Sequence, residues 1–317
     1  MSAAQRILVT GGTGFIGRYV VDKLCSLGTE PIVTTSGEPG TIGVDSRDLV
    51  ALDLTDANAT DRVISSNKPD IVLHLGGVTG TGASGDRCQA VNYVGTVNLL
   101  TSLEKTGVSH VILLGTAAEY GHQPTPFRED MASRPVSSYA VSKAKANEFA
   151  LEMHSSTGFP VTILRVFTAY GAGQPRKMFL PQVITHALLK QQFNMSDGRQ
   201  KRDFVFVGDV VDAIMAALAT ESSKGRVINI AGGRGIALND LAERVWDLCG
   251  AGRELLHIGS IEKASDDAFD TEADISLAAD LLGWRPATPF IGDAADGHPL
   301  VAMIGKKKRE LESSASA

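Results

Sequence analysis

Through the first half of the chain, short apolar runs alternate with longer stretches in which apolar residues return every three or four positions. Residues 7–10 are the first run, and Tyr19, Val20, Val21, Leu24 and Leu27 mark the helical face that follows. The same two patterns recur, predicting strands at 31–35, 49–52, 70–75, 111–114 and 161–166 and helices at 56–68, 86–106 and 137–151. Val91, Val94, Val97, Leu100 and Leu103 carry the helix at 86–106, whose stripe is interrupted by Asn92 and Asn98. Strands alternating with helices in this way predict an α/β fold on a parallel sheet. Past residue 169 the alternation loosens into a loop at 169–175, a helix at 180–191, a strand at 202–207, a helix at 209–218, a strand at 227–230, a helix at 238–249 and a last element at 275–282. The end, with Lys306-Lys307-Lys308-Arg309 and a serine-rich terminus, reads as a frayed tail.

The first strand breaks into Thr10-Gly11-Gly12-Thr13-Gly14-Phe15-Ile16-Gly17, and a helix opens there. This order makes a cradle for a dinucleotide pyrophosphate. Gly11 allows the tight turn, Gly14 lets main-chain N–H groups approach the anion, and Gly17 lets the helix pack on the strand, while the helix dipole favours the negative charge. At the end of the second strand an NAD site places a carboxylate for the adenosine ribose. Here Thr34, Thr35, Ser36 and Gly37 occupy that place, with Glu38 one step late. The expected cofactor is therefore NADP(H) or NAD(H), tilted towards NADP(H), with Arg18 and Arg47 as candidate charges. Asp53 ends the third strand, where it serves either an adenine amino group or a solvated turn. His74, inside an apolar strand, is expected to be a satisfied core histidine.

Thr116 follows the fifth strand at the carboxyl edge of the predicted sheet, where open α/β folds bind ligands. Tyr139 and Lys143 are four apart and share one helix face. A free phenol, with a pKa of about 10, is a poor acid or base at neutral pH. An ammonium one turn away is expected to stabilise the phenolate and lower that value.

The 317 residues carry a formal net charge of −6 with mixed signs, and 43% are hydrophobic. A sizeable core is available, and no extended basic face invites nucleic acid or an anionic membrane. Cys25, Cys88 and Cys249 lie far apart and outside any metal-ligand spacing, which predicts reduced thiols and no metal. No apolar run reaches about 18 residues, and the expected location is cytoplasmic.

Several motifs coincide, and the chain resembles the extended short-chain dehydrogenase/reductases that modify nucleotide sugars. The match spans roughly residues 6–286 and comprises the glycine fingerprint at 10–17, Asp53-Leu54, Asn92-Tyr93-Val94-Gly95-Thr96-Val97-Asn98, Tyr139 with Lys143, Arg202-Asp203-Phe204 with Asp209, and Leu282-Gly283-Trp284-Arg285-Pro286. The resemblance implies a Rossmann-like doubly wound parallel sheet (residues 1–170 and 205–232), a smaller C-terminal substrate-binding α/β domain (171–204 and 233–305) and a disordered tail (306–317). It implies Thr116, Tyr139 and Lys143 as the catalytic set. The dinucleotide is expected against Gly11, Gly14, Phe15, Ile16, Gly17, Thr35, Ser36, Asp53, Leu54, Leu75, Gly76 and Gly77, with Tyr139, Lys143, Val166 and Phe167 near the nicotinamide. Thr116, Thr168, Arg202 and Lys263 are the implied contacts to a nucleotide-sugar substrate, and a homodimer is implied through the helices at about 88–106 and 138–154.

Departures from the family pattern narrow the reaction. Dehydratases carry Asp-Glu directly after the catalytic Thr; here Ala117 and Ala118 stand there, which argues against 4,6-dehydration. The expected activity is an NAD(P)-dependent 4-keto-sugar reductase, with an NAD-dependent 4-epimerase as the alternative and a non-catalytic cofactor-binding scaffold or sensor behind both.

Overall fold

The computed structural model describes residues 5–36, 49–79, 83–262 and 270–315. The strands are β1 (Ile7–Thr10), β2 (Ile32–Thr35), β3 (Leu49–Ala51), β4 (Ile71–His74), β5 (His110–Thr116), β6 (Val161–Val166), β7 (Thr168–Tyr170), β8 (Phe193–Met195), β9 (Lys201–Phe206), β10 (Val227–Ile230), β11 (Gly235–Ala237) and β12 (Leu256–Ile258). The helices are α1 (Phe15–Ser26), α2 (Ala57–Asn67), α3 (Gly85–Cys88), α4 (Gly95–Glu104), α5 (Ser138–Thr157), α6 (Phe179–Leu189), α7 (Val207–Ala219), α8 (Leu238–Cys249), α9 (Ser276–Leu282) and α10 (Pro299–Ala315). Seven strands form one sheet in the order β10-β6-β5-β4-β1-β2-β3. Every pairing in it is parallel.

Alternate residues of each strand enter different cores, as the pleat demands. Ile7 and Val9 pack on one side with Val20, Leu24, Val210 and Ile214. Leu8 packs on the other side with Leu99, Leu100 and Leu103. A parallel sheet covered on both faces needs strands that are apolar throughout, which is why they read as continuous runs. The chain turns back between β1 and β4, so the carboxyl ends of these strands border the crevice of a doubly wound sheet.

A separate core gathers Tyr170, Leu180, Val183, Phe204, Trp246 and Leu300. Ala278 and Trp284, which the sequence groups with this second unit, pack instead in the first core. The Trp284 indole donates to the Asp209 carbonyl at 3.1 Å, and the Asp209 carboxylate accepts from Ala287 and Thr288 N–H, docking the Gly-Trp-Arg-Pro turn on α7.

Three expectations about local structure change. The helix expected at 86–106 contains a π-helical turn, Gln89–Val94, between α3 and α4. Its Asn92, buried, accepts from Val78 N–H at 2.8 Å and donates to Val78 O and Ser142 Oγ, partners that hold the wide turn open. Part of the loop expected at 169–175 is strand β7, because Thr168, Ala169 and Tyr170 pair with Phe204, Val205 and Phe206 of β9. Residues 306–317, expected as a disordered tail, continue α10 as far as Ala315. Leu300, Met303 and Ile304 anchor that helix in the second core, and Lys307 pairs with Glu310 one turn on.

Candidate active site

The glycine turn leaves β1 with Gly11 at φ +66°, and a Cβ there would lie 2.6 Å from Gly76 Cα. At Gly17 a Cβ would lie 2.1 Å from the Gly11 carbonyl oxygen, so α1 rides directly on the turn. Gly14 is the N-cap of α1, and no side chain caps the helix. The N–H groups of its first turn thus remain available to an anion, and the turn fits a dinucleotide pyrophosphate. Arg18 reaches back to donate to the Thr13 carbonyl at 2.9 Å. Thr35 is buried and Ser36 exposed at the end of β2; Glu38 and Arg47 lie outside the described residues. Asp53 Oδ1 accepts from the Thr55 N–H and hydroxyl, bonds that hold its carboxyl below the usual carboxylate range.

Beneath this turn a hydrogen-bonded chain joins the elements. Thr96 Oγ1 donates to Asn92 O at 2.6 Å and so accepts from His74 Nε2 at 3.0 Å. His74 Nδ1 is left to accept from the Thr10 hydroxyl at 2.6 Å, and Thr10 Oγ1 accepts from Gly76 N–H. His74 is therefore neutral and held in one tautomer. Burial, and then the charge of Lys143, push its pKa down to about 3. The expectation of a satisfied core histidine is met.

Thr116 ends β5 and caps the single 3₁₀ turn Ala117–Tyr120, its Oγ1 accepting from Ala118 N–H. Ser137 caps α5 by accepting from Ala140 N–H, which sets Tyr139 in the first turn. Thr116 stands close enough to the Tyr139 phenol to favour its ionised form. Lys143 lies one turn further on, 7% exposed, and burial lowers its pKa to about 8. Thr116 thus stands at the carboxyl edge of the sheet, and Tyr139 and Lys143 follow one another by one turn on α5. Tyr139 departs from expectation in its acidity: burial raises its pKa, Thr116 opposes this, and the charge of Glu119 adds to the rise. Tyr139 is thus a protonated phenol at neutral pH.

Glu119 turns away from the crevice and is fully buried. Its Oε1 accepts from Thr116 N–H at 2.7 Å and from Asn147 Nδ2 at 2.8 Å, while Oε2 accepts from Arg165 Nε at 2.9 Å. Ala117 and Ala118, next in the chain after Thr116, carry no carboxylate. Val166 lies in the first core, and Phe167 packs with Tyr120 and Phe127.

Thr168 and Arg202 come together on the wall of a cavity of about 490 Å³, with Gln174, Phe179, Phe193 and Leu238. Lys263 lies outside the described residues.

The family model described as "NAD dependent epimerase/dehydratase family" matches residues 7–231. The chain belongs to that family. A dTDP-L-rhamnose 4-epimerase of Burkholderia thailandensis is 29% identical over 89% of this chain and 91% of its own length. A UDP-glucuronate 4-epimerase of Thermodesulfobacterium geofontis is 32% identical over 74% of this chain and 73% of its own. The crystal structure of UDP-glucose 4-epimerase with UDP-glucose from Thermotoga maritima superposes with a TM-score of 0.85 at 26% identity, covering 96% of this chain and 99% of that one.

In this epimerase/dehydratase family member, sequence reasoning passed over Arg165 and Asn147. Arg165 had a signal, since it is a lone charge in the apolar run Val-Thr-Ile-Leu-Arg-Val and a buried charge requires a partner. Asn147 follows Lys143 by one helical turn, on the same face.

Proposed function

We propose that the chain is an NAD(P)-dependent enzyme acting at C4 of a nucleotide-diphosphate sugar, as a 4-epimerase. The observation carrying this reading is the placement of Thr116 at the end of β5 and of Tyr139 in the first turn of α5, one helical turn before Lys143, on the sheet edge where the uncapped N-terminus of α1 also opens. Gly11, Gly14, Phe15, Ile16, Gly17, Gly76 and Gly77 would hold the dinucleotide, with Thr35, Ser36, Asp53 and Leu54 at the adenosine end and Leu75, Val166, Tyr139 and Lys143 at the nicotinamide end. When bound, that cofactor supplies reversible hydride transfer. Tyr139 moves the proton of the sugar hydroxyl, Thr116 hydrogen-bonds the same oxygen, and Lys143 supports the negative charge that develops there. Arg202 and Thr168 receive the diphosphate end, for which a guanidinium fork is well suited. Ala117 and Ala118 provide no carboxylate for dehydration. The 4-epimerase names of the relatives support the same reading. The enzyme would work in the cytoplasm as a homodimer joined through α4 and α5, next to Val94, which ends the π turn before α4 and is 41% exposed.

A 4-keto-sugar reductase is the second reading, favoured by the hydroxyl-bearing end of β2, Thr34-Thr35-Ser36, which offers no carboxylate to repel a 2′-phosphate. The nucleotide that co-purifies, identified by mass, separates the two. An epimerase retains NAD and interconverts UDP- or dTDP-sugars without added cofactor, whereas a reductase consumes NADPH in proportion to product. Tyr139→Phe is expected to cut turnover by about 10²–10⁴-fold with nucleotide-sugar binding retained.

A further inference from the structure

The loop that leaves β7 carries part of the cavity wall and bends twice through conformations that favour glycine, Gly171 at φ +152° and Gly173 at φ +86°. A Cβ on Gly171 would stand 2.6 Å from Val207 Cγ1 and 3.5 Å from the Tyr19 hydroxyl, so the bend lies directly against α7 and α1. Between the two glycines the Ala172 carbonyl accepts from the Tyr19 hydroxyl at 2.9 Å, a bond between residues 153 apart in the chain. Gln174 follows, buried on the cavity wall; its N–H donates to Gly171 O at 3.2 Å and its Nε2 to Ala169 O at 3.1 Å. Where this loop stands therefore sets where Gln174 and, further on, Met178 and Phe179 face the cavity.

Tyr19 lies one turn into α1, and its ring meets that of Phe15, the first residue of the helix, edge to face with centroids 6.0 Å apart. No side chain caps the first turn of α1, so its N–H groups gain partners when an anion occupies the glycine turn. A phenol thus joins two segments that a ligand can firm, the open first turn of α1 and a loop bent at two glycines.

We propose that Tyr19 is a positioning residue that couples the two binding regions: it holds the 171–174 loop in place when a dinucleotide firms α1, and holds α1 in place when a nucleotide diphosphate fills the cavity. The proposal rests on the reading of the glycine turn as the dinucleotide site and of the cavity beside Arg202 as the nucleotide-diphosphate site. Such coupling is reciprocal, each ligand tightening the other by the same factor. One net hydrogen bond corresponds to a factor of about two to ten.

The experiment follows release of the radiolabelled dinucleotide that the chain binds, NAD or NADPH, from the loaded full chain with and without saturating UDP. UDP carries no sugar, so it fills the cavity without taking part in chemistry at C4. In the wild type UDP is expected to slow release by about two- to tenfold, since affinity changes of this kind appear mostly in dissociation. In Tyr19→Phe, which keeps the ring against Phe15 and removes only the hydroxyl, the two release rates are expected to be equal. A phenol that only stabilised the fold, or a UDP that only covered the dinucleotide, would leave the ratio of the two rates as in the wild type, and that result overturns the proposal. A wild type in which UDP leaves release unchanged overturns it as well. A chain that binds both ligands without coupling loses this link and keeps the enzymatic reading, whereas a chain that binds neither loses both.

Discussion

Lys143 illustrates what a position in the proposed catalytic set costs the fold. Its ordinary pKa of 10.5 falls to about 8 because the ammonium is taken out of water. A drop of this size corresponds to about 3 kcal/mol of lost stability at neutral pH. Lys143→Met should therefore be more stable than the wild type in urea denaturation at pH 7, by on the order of 1–3 kcal/mol, while losing activity. The sign of the pH dependence follows from proton uptake. Between about 8 and 10.5 the unfolded chain holds a proton that the native Lys143 has released, so wild-type stability rises with pH across that window and the advantage of the Met variant fades. His74 acts in an acid window: its buried ring stays neutral down to about pH 3 while the unfolded imidazole takes up a proton below its ordinary 6.5, so stability should fall as the pH drops from 6.5 towards 3.

At the scale of an element, α1 is set by contact with its own glycine turn. The Gly11 oxygen that a Gly17 Cβ would strike belongs to the backbone, so the helix itself would have to move. Gly17→Val should cost about 1–3 kcal/mol of stability and weaken dinucleotide binding at least about tenfold, read by calorimetry with NAD and NADPH. The π turn before α4 is set differently, by side chains that reach other segments. Asn92 ties that turn to Val78 and to Ser142, and Ser142 in turn donates to the Tyr139 carbonyl, so the first turn of α5 leans on it.

Across the whole molecule, Asp203 of β9 binds the two cores together. Its buried carboxylate accepts from Gly232 and Gly233, just after β10, and from Ala273. The strand that carries Arg202 is thereby fixed to the edge strand of the main sheet. Asp203→Ala would leave the buried Ala273 N–H and the part-buried Gly232 and Gly233 N–H groups without their acceptor, and a loss of about 1–3 kcal/mol in chemical denaturation is expected. Binding of UDP to the cavity beside Arg202 should weaken in the same variant, measurable by calorimetry.

The chain by itself determined what depends on neighbours within a few residues. Apolar periodicity set the strand and helix order, sterics required glycine at Gly11 and Gly17, and helical spacing put Tyr139 and Lys143 on one face. Only the tertiary structure decided which buried polar groups meet, because that depends on which strands lie side by side. His74 reaches Thr10 across 64 residues since β1 pairs with β4, and Arg165 reaches Glu119 across 46 since β5 pairs with β6. For the same reason Glu119 faces inward, Thr168 shares a cavity with Arg202, and the lysine-rich end is a docked helix. In each case the burial of a distant partner outweighs the local pattern.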